Sequence, residues 1–295
     1  MIFDAQKESM KWEEQLRDKV SGFKNKPTMA AIVAKDYYSP SKIYINNKKK
    51  TNGNIGIETK VFEIEWSNRE KQEVYTELRE LVDNLNLDKT VHGIVIQRPF
   101  LDFNEDMLDI VVAEKDIDGL GVVQQGFLAS NNKDKLIPAT ASGVIKSIQT
   151  KFGEDLSGLT ISVVNRSALI GIPLQSALRS LNATVVNLHT KTDKDFLEYM
   201  LKNSDVVITG TGRRAVYDSS NFSEKVKMII DCSMDKVESI PGVGDINQDD
   251  VLANMPWCTL SSGYKQTGLM TCVALSENLV KAYIMQNKDL NKIIA

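Results

Sequence analysis

The spacing of apolar residues changes period several times along the chain. Met1 to Val20 has no glycine and no β-branched run, and its apolar positions recur at helical spacing, which predicts an amphipathic helix. Thr28 to Ala34 is a short apolar run of strand length, and Thr59 to Glu65 alternates apolar with polar. Val91 to Gln97 reads as a third strand, stopped by Arg98-Pro99. Helices are predicted from Ser39 towards Gly56, over Asn68 to Leu87 and over Asn104 to Ala113. Strand, helix, strand, helix, strand is the order of a parallel α/β sheet, which takes ligands at the carboxyl ends of its strands. Gln97 stands at such an end, as does the loop leading to Ser39. The second half repeats this rhythm. Strands are expected at Leu159–Asn165, Thr184–Leu188, Asp205–Gly210 and Lys227–Cys232, with helices at Leu169–Leu181 and Lys194–Asn203, a dinucleotide-fold order. Leu269–Gln286 reads as a closing helix whose Val273, Leu279, Val280 and Tyr283 are placed to pack back on the first domain. The boundary is then crossed near 145 and near 270, so that 1–145 with 270–295 make one domain and 146–269 the other.

The helix from Ser39 holds the first candidate chemistry. Ser39 and Pro40 suit an N-cap and first helical position, and Gly53 with Gly56 a stop, which predicts about three to four turns. Tyr44 and Lys48 are four apart, so an aromatic face and an amine share one side, roughly 5–6 Å apart at Cβ. Ile43 and Ile45 flank them, while Lys42, Lys49 and Lys50 take the solvent side. Such a pair also arises on ordinary surfaces. Short-chain dehydrogenases carry Tyr-x-x-x-Lys too, but they open with a strand and a Gly-rich turn, whereas this chain opens with a helix. Further on, Asp116 and Asp118 lie in Glu-Lys-Asp-Ile-Asp-Gly at 114–119, where they serve equally well as plain turn residues. A calcium loop is excluded, because Leu120, Gly121 and Val122 follow where oxygen ligands are needed.

At 295 residues and 42% hydrophobic content the chain suits two packed domains. There is no run of eighteen apolar residues and no signal-peptide order at the start, so no membrane partner and a cytoplasmic location are expected. Cys232, Cys258 and Cys272 are few, odd in number and lack metal-ligand spacing, which implies reduced thiols and no metal. A net charge of −3 gives no basis for nucleic-acid binding.

Four elements, in order and at these separations, carry a specific resemblance: Tyr44-x-x-x-Lys48, Gly93-Ile-Val-Ile-Gln97-Arg-Pro99, Lys115-Asp-Ile-Asp118-Gly119 and Pro138-Ala-Thr140-Ala-Ser-Gly143. Together they resemble the methylenetetrahydrofolate dehydrogenase/methenyltetrahydrofolate cyclohydrolase family over nearly the whole chain. The resemblance implies an α/β fold with an N-terminal three-layer parallel-sheet domain, a Rossmann-like dinucleotide-binding domain and a folate cleft between them. It assigns the catalytic lysine to Lys48, the substrate-stacking tyrosine to Tyr44, the lysine-orienting glutamine to Gln97 and the pterin-binding aspartate to Asp118. The chemistry suits these residue types. A flat pterin needs a stacking face, and its 2-amino and N3–H groups form a two-donor fork that a carboxylate accepts. Hydrolysis of a methenyl bridge needs one group to take a proton from water and another, or the same, to protonate the departing nitrogen. An amine does both once burial and a cationic substrate make it less basic.

The resemblance continues at Val163-Val-Asn-Arg166-Ser167-Ala-Leu-Ile-Gly171-Ile-Pro173, similar to the family's cofactor loop, at His189-Thr-Lys-Thr192, at Thr209-Gly210-Thr-Gly212 and at Gly242-Val-Gly244-Asp245. It implies cofactor binding by Asn165, Arg166, Ser167, Gly171, Thr190, Lys191 and Thr211, and folate contacts from Gly268 and Thr271. Arg166 suits a 2′-phosphate, assisted by Thr190 and Lys191, which favours NADP over NAD; an ordinary exposed arginine in a βα turn is the alternative. His189 reads as a polar residue at a strand end. Several positions depart from the family pattern. Asn165 replaces the first loop glycine, and asparagine is expected to serve there by tolerating left-handed backbone, at lower cofactor affinity. The 262–271 segment is longer and bulkier, and Arg98, Ala139 and Ala141 stand where leucine, cysteine and proline are usual. The expected activity is oxidation of methylenetetrahydrofolate with NADP followed by hydrolysis to 10-formyltetrahydrofolate, with tetrahydrofolate derivatives as partners and, through the resemblance, a homodimer. A cyclohydrolase without redox activity and a silent folate- or nucleotide-binding paralogue are the rivals; joint retention of Tyr44, Lys48, Gln97 and Asp118 argues against silence.

Overall fold

A computed structural model describes residues 1–35, 39–97, 109–233 and 244–287. In chain order its first half contains α1 (Ala5–Ser21), β1 (Thr28–Ala34), α2 (Ser39–Ile55), β2 (Glu58–Ile64), α3 (Lys71–Leu87), β3 (Gly93–Ile96) and α4 (Val122–Ala129). There follow α5 (Ala139–Phe152), β4 (Thr160–Val164), α6 (Gly171–Ser180), β5 (Thr184–Leu188), α7 (Lys194–Asn203), β6 (Val206–Thr209), β7 (Met228–Asp231), α8 (Gln248–Asn254), β8 (Thr259–Ser262) and α9 (Leu269–Gln286). The chain divides into two compact units, Lys11–Ala139 with Cys272–Ala295 and Met1–Met10 with Thr140–Thr271.

In the first of these units three parallel strands lie in the order β2-β1-β3. Central β1 is buried along nearly its whole length, so its sequence is a continuous apolar run, while β2 at the edge alternates. Val74, Leu78, Val82 and Leu85, spaced four, four and three along α3, cover the sheet beside Ile32, Ile64 and Ile94. Because β2 and β3 flank β1 on opposite sides, the strand order reverses between β1 and β3, the switch point at whose strand ends parallel sheets take ligands. The Gln97 amide, just past β3, donates to the Ile32 carbonyl at 2.9 Å and so closes this junction.

The expected α2 differs in length. It takes Ser39 into its first turn and runs 17 residues, past Gly53, to end at Gly56 with φ 93°. Asn52 holds this last part: its amide donates to Thr59 Oγ1 at 2.8 Å, and Ser276 Oγ donates to its oxygen at 2.6 Å. The helix expected from Asn68 starts at Lys71, because Asn68 has φ 60°. Of the helix expected over 104–113, residues 104–108 lie outside the described residues, as do Arg98, Pro99 and Gly242, and 109–110 form a short 3-10 turn. Helices α4, α5 and α8 and strand β8 lie beyond the sequence reading: β8 (TLSS) is short and polar at three of its four positions, yet largely buried.

In the other unit five parallel strands lie in the order β5-β4-β6-β7-β8. Val164, Leu188, Val207, Ile229 and Leu260 contribute to its core. The first residues extend the sheet at its β8 edge, where Phe3 N donates to the Leu260 carbonyl at 2.9 Å and Leu260 N to the Met1 carbonyl at 2.8 Å. Here the order reverses between β4 and β6.

Candidate active site

Lys48 and Gln97, 49 residues apart, meet just past the carboxyl end of β3 in the three-stranded unit. Lys48 Nζ donates to Gln97 Oε1 at 2.9 Å. Gln97 is buried and Lys48 half-buried, so the amide is a fixed acceptor and the amine keeps one side open. Tyr44 lies one turn earlier on α2 and is also half-buried, whereas Lys49 and Lys50 are exposed. Ile45, beside Tyr44, is buried and anchors this part of the helix. The Cys272 thiol, at the start of α9, is pushed up by burial and pulled back by the nearby Lys48 charge.

The segment around Asp118 is pinned from three directions. Ile94 N donates to the Lys115 carbonyl at 2.8 Å, which lays the segment along β3. Lys115 is buried, and its Nζ donates to the carbonyls of Leu85 at 2.8 Å and Asp88 at 2.7 Å, satisfying orphan carbonyls at the end of α3. Asp116 is buried and accepts from Gly119 N at 3.0 Å and Gly121 N at 2.8 Å. Burial pushes its carboxyl up to about 7, with repulsion from Asp118 adding to the rise against the pull of those N–H groups. Gly119 has φ 68°, and a Cβ there would press on the Leu136 carbonyl. With its neighbours so held, Asp118 stays half-buried. Asn278 on α9 completes the support, donating to the carbonyls of Ile117 at 2.9 Å and Ile137 at 2.7 Å. Two of the three charged residues of this motif are therefore pins. The sequence reading missed Lys115 in this role: it stands between Glu114 and Asp116, and nothing in the local pattern marks it as buried.

In the five-stranded unit the cofactor candidates Asn165, Arg166, Thr190, Lys191 and Thr211 follow directly on the carboxyl ends of β4, β5 and β6. Arg166, Thr190, Lys191 and Thr211 are exposed, while Asn165 and Ser167 are half-buried. Gly171 opens α6 against the backbone of Asn165 and Arg166, so closely that a Cβ would overlap it. That close approach and the exposed cations at the ends of neighbouring strands fit a phosphate-bearing dinucleotide. Asn165 corrects one expectation. It is absent from the residues with positive φ, so its use is not left-handed backbone. Its side chain turns into the loop instead: Oδ1 accepts from Ser167 N at 2.7 Å, Ser167 Oγ at 2.7 Å and Gly171 N at 3.0 Å, and Nδ2 donates to the Gly210 carbonyl at 2.5 Å.

His189 Nδ1 accepts from Lys191 N at 3.2 Å, a local turn contact. The turn at Thr211 hangs on Asp245, which is fully buried and accepts from Thr211 N at 2.7 Å and Arg213 N at 3.0 Å. Beside it, burial pushes Asp231 up to about 6, opposed by bonds from Ser233 N and Ile246 N. Gly268 ends a π-helical turn over Tyr264–Gly268, and Thr271 Oγ1 donates to the Thr267 carbonyl at 2.8 Å. Both belong to the five-stranded unit, whereas Tyr44 and Asp118 belong to the other.

Residues 3–118 match the family described as tetrahydrofolate dehydrogenase/cyclohydrolase, catalytic domain, and residues 138–287 its NAD(P)-binding domain. The bifunctional protein FolD of Listeria innocua is 30% identical over 286 residues, covering 95% of this chain and 96% of that protein. FolD of Thermodesulfovibrio yellowstonii is 31% identical over 293 residues, covering 97% and 98%. Among solved structures, the bifunctional 5,10-methylenetetrahydrofolate dehydrogenase/cyclohydrolase of Thermoplasma acidophilum superposes with a TM-score of 0.86 at 25% identity, covering 98% of this chain and 100% of that one.

Proposed function

Because the chain belongs to the tetrahydrofolate dehydrogenase/cyclohydrolase family, we propose that it oxidises 5,10-methylenetetrahydrofolate to the methenyl form with NADP and hydrolyses that product to 10-formyltetrahydrofolate. The observation that carries the reading is the Lys48–Gln97 hydrogen bond, which aims an amine from a fixed acceptor. In the hydrolysis, water oxygen bonds to the methenyl carbon while the Lys48 amine takes one proton. The resulting ammonium protonates N5 as the carbon–N5 bond breaks, and the remaining hydroxyl proton leaves as the formyl carbonyl forms, so one proton is released overall. Tyr44 stacks on the pterin, and Asp118 accepts its two-donor fork. Gly268 and Thr271 are the further folate contacts of this reading.

NADP, when bound, accepts the hydride from the methylene carbon. This chain's part is to hold it: Gly171 permits close approach of the backbone, Ser167 offers a hydroxyl, and Thr211 lies in the turn held by Asp245. Arg166, with Thr190 and Lys191, meets the 2′-phosphate, because a guanidinium matches phosphate geometry. A second copy of the chain pairs on this unit, a reading supported by the edge position of β5 in the sheet formed by the described residues. The three free cysteines favour a reducing compartment, the cytoplasm. No helix among the described residues is long and apolar enough to cross a membrane.

Mixing the purified protein with methylenetetrahydrofolate and either nucleotide, and following methenyl absorbance, tests the reading. NADP should yield methenyl product faster than NAD, and methenyltetrahydrofolate added directly should disappear. Hydrolysis without oxidation by either nucleotide would leave a cyclohydrolase alone.

A further inference from the structure

Asn165 is the residue at which this chain departs from the glycine of its family's cofactor loop, and its side chain is engaged at both ends. The oxygen takes two backbone amides and one hydroxyl of the β4–α6 loop, including Gly171 N at the first position of α6. The amide nitrogen reaches across the reversal point to the carbonyl of Gly210, in the loop after β6, 45 residues away. Other donors of this loop are also used internally, Ile170 N by Ser167 Oγ at 3.2 Å and Ile172 N by the Ser167 carbonyl at 3.0 Å. In a doubly wound sheet the crevice between such strands, with the N–H groups of the adjoining helix, is the seat of a dinucleotide's pyrophosphate.

Resting on the reading that this unit binds NADP, we infer that the Asn165 carboxamide is an internal competitor of the pyrophosphate: it clasps the β4 and β6 loops together and occupies amides that the phosphates would otherwise take. The clasp gives the loop its shape before any nucleotide arrives, and binding then exchanges existing hydrogen bonds for new ones, so its net gain is small. The effect is confined to the pyrophosphate. Arg166, exposed on the same loop, is not engaged by the clasp, so the choice between NADP and NAD is unaffected by Asn165.

Titration calorimetry with NADP, NAD and adenosine 2′-monophosphate separates these terms. Asn165→Ala and Asn165→Gly should bind NADP and NAD about tenfold more tightly than the parent, about 1.4 kcal/mol, by the same factor for each. Affinity for adenosine 2′-monophosphate, which has no pyrophosphate, should stay unchanged. Asn165→Asp keeps the acceptor but adds a negative charge, so it should lose NADP binding; thermal melting of each variant checks that it is folded. The parent needs no substitution to be informative, since NADP should gain little there over adenosine 2′-monophosphate. Variants that bind NADP no better than a parent that does bind it would overturn the clasp while leaving NADP binding intact. No NADP binding by the parent, Asn165→Ala or Asn165→Gly would overturn both.

Discussion

A single hydrogen bond gives Lys48 its direction: the amine on α2 donates to the buried amide oxygen of Gln97 at 2.9 Å. If that amine carries the proton, Lys48→Met should abolish hydrolysis of methenyltetrahydrofolate, while folate binding stays within about tenfold of the parent, near 1.4 kcal/mol. Stopped-flow decay of methenyl absorbance checks the first half and a folate titration the second; decay at the parent rate would remove Lys48 from the chemistry. The residue types of this pair were legible in the sequence, because helical spacing puts Tyr44 and Lys48 on one face and a strand end presents Gln97. Asn165 was legible only as a departure. Its partners lie up to 45 residues away, and no local pattern announces a side chain that bonds two loops at once.

At the scale of elements, short segments between strands and helices set the candidate site. The 115–121 segment is held by a buried lysine on the end of α3 and a buried aspartate on its own amides, which leaves Asp118 between them half-buried. Lys115→Met keeps much of the apolar stem but removes both hydrogen bonds to the α3 carbonyls. It should cost about 1.5–3 kcal/mol of stability, the range for hydrogen bonds to a charged group, and weaken folate binding through Asp118. Urea unfolding and a folate titration read the two effects, and a variant matching its parent in both would show the lysine to be dispensable. Helix α2 carries a related lesson. Gly53 suggested a stop, but Asn52, bonded to Thr59 and Ser276, keeps the helix going to Ile55. Glycine weakens a helix by roughly 1 kcal/mol, which tertiary hydrogen bonds can offset.

For the molecule as a whole, buried titratable groups shape the dependence of stability on pH. His92 is buried, and its Nδ1 accepts from Thr28 N at 3.1 Å, so the ring is neutral at that nitrogen. Burial, with repulsion from Lys115, holds its pKa below the ordinary value of about 6.5. The unfolded chain therefore takes up a proton first as pH falls. The stability contributed by neutral His92 is complete above about pH 6.5 and is lost as pH falls through the folded value. Asp116 and Asp231, raised to about 7 and about 6, act in the opposite sense: their contribution is present at low pH and is lost as pH rises through those values. Comparing the parent with His92→Gln isolates the histidine. The unfolding free energy of the variant should gain on the parent as pH drops below about 6.5, and a difference that stays constant from about pH 8 to 5 would contradict the assignment. Local periodicity was enough to determine the order and type of β1 to β7 and of α1, α2, α3, α6, α7 and α9, since apolar spacing reflects which faces each segment buries. Strand pairing is not local. Only the tertiary structure decided that β1 lies between β2 and β3, that Met1 to Phe3 join the β8 edge, and that short polar β8 is a buried strand. The same holds for Lys115, Asp116, Asp245 and Asn165: their chemistry was visible in the sequence, but the amides and carbonyls they bind are brought to them by the packing of distant segments.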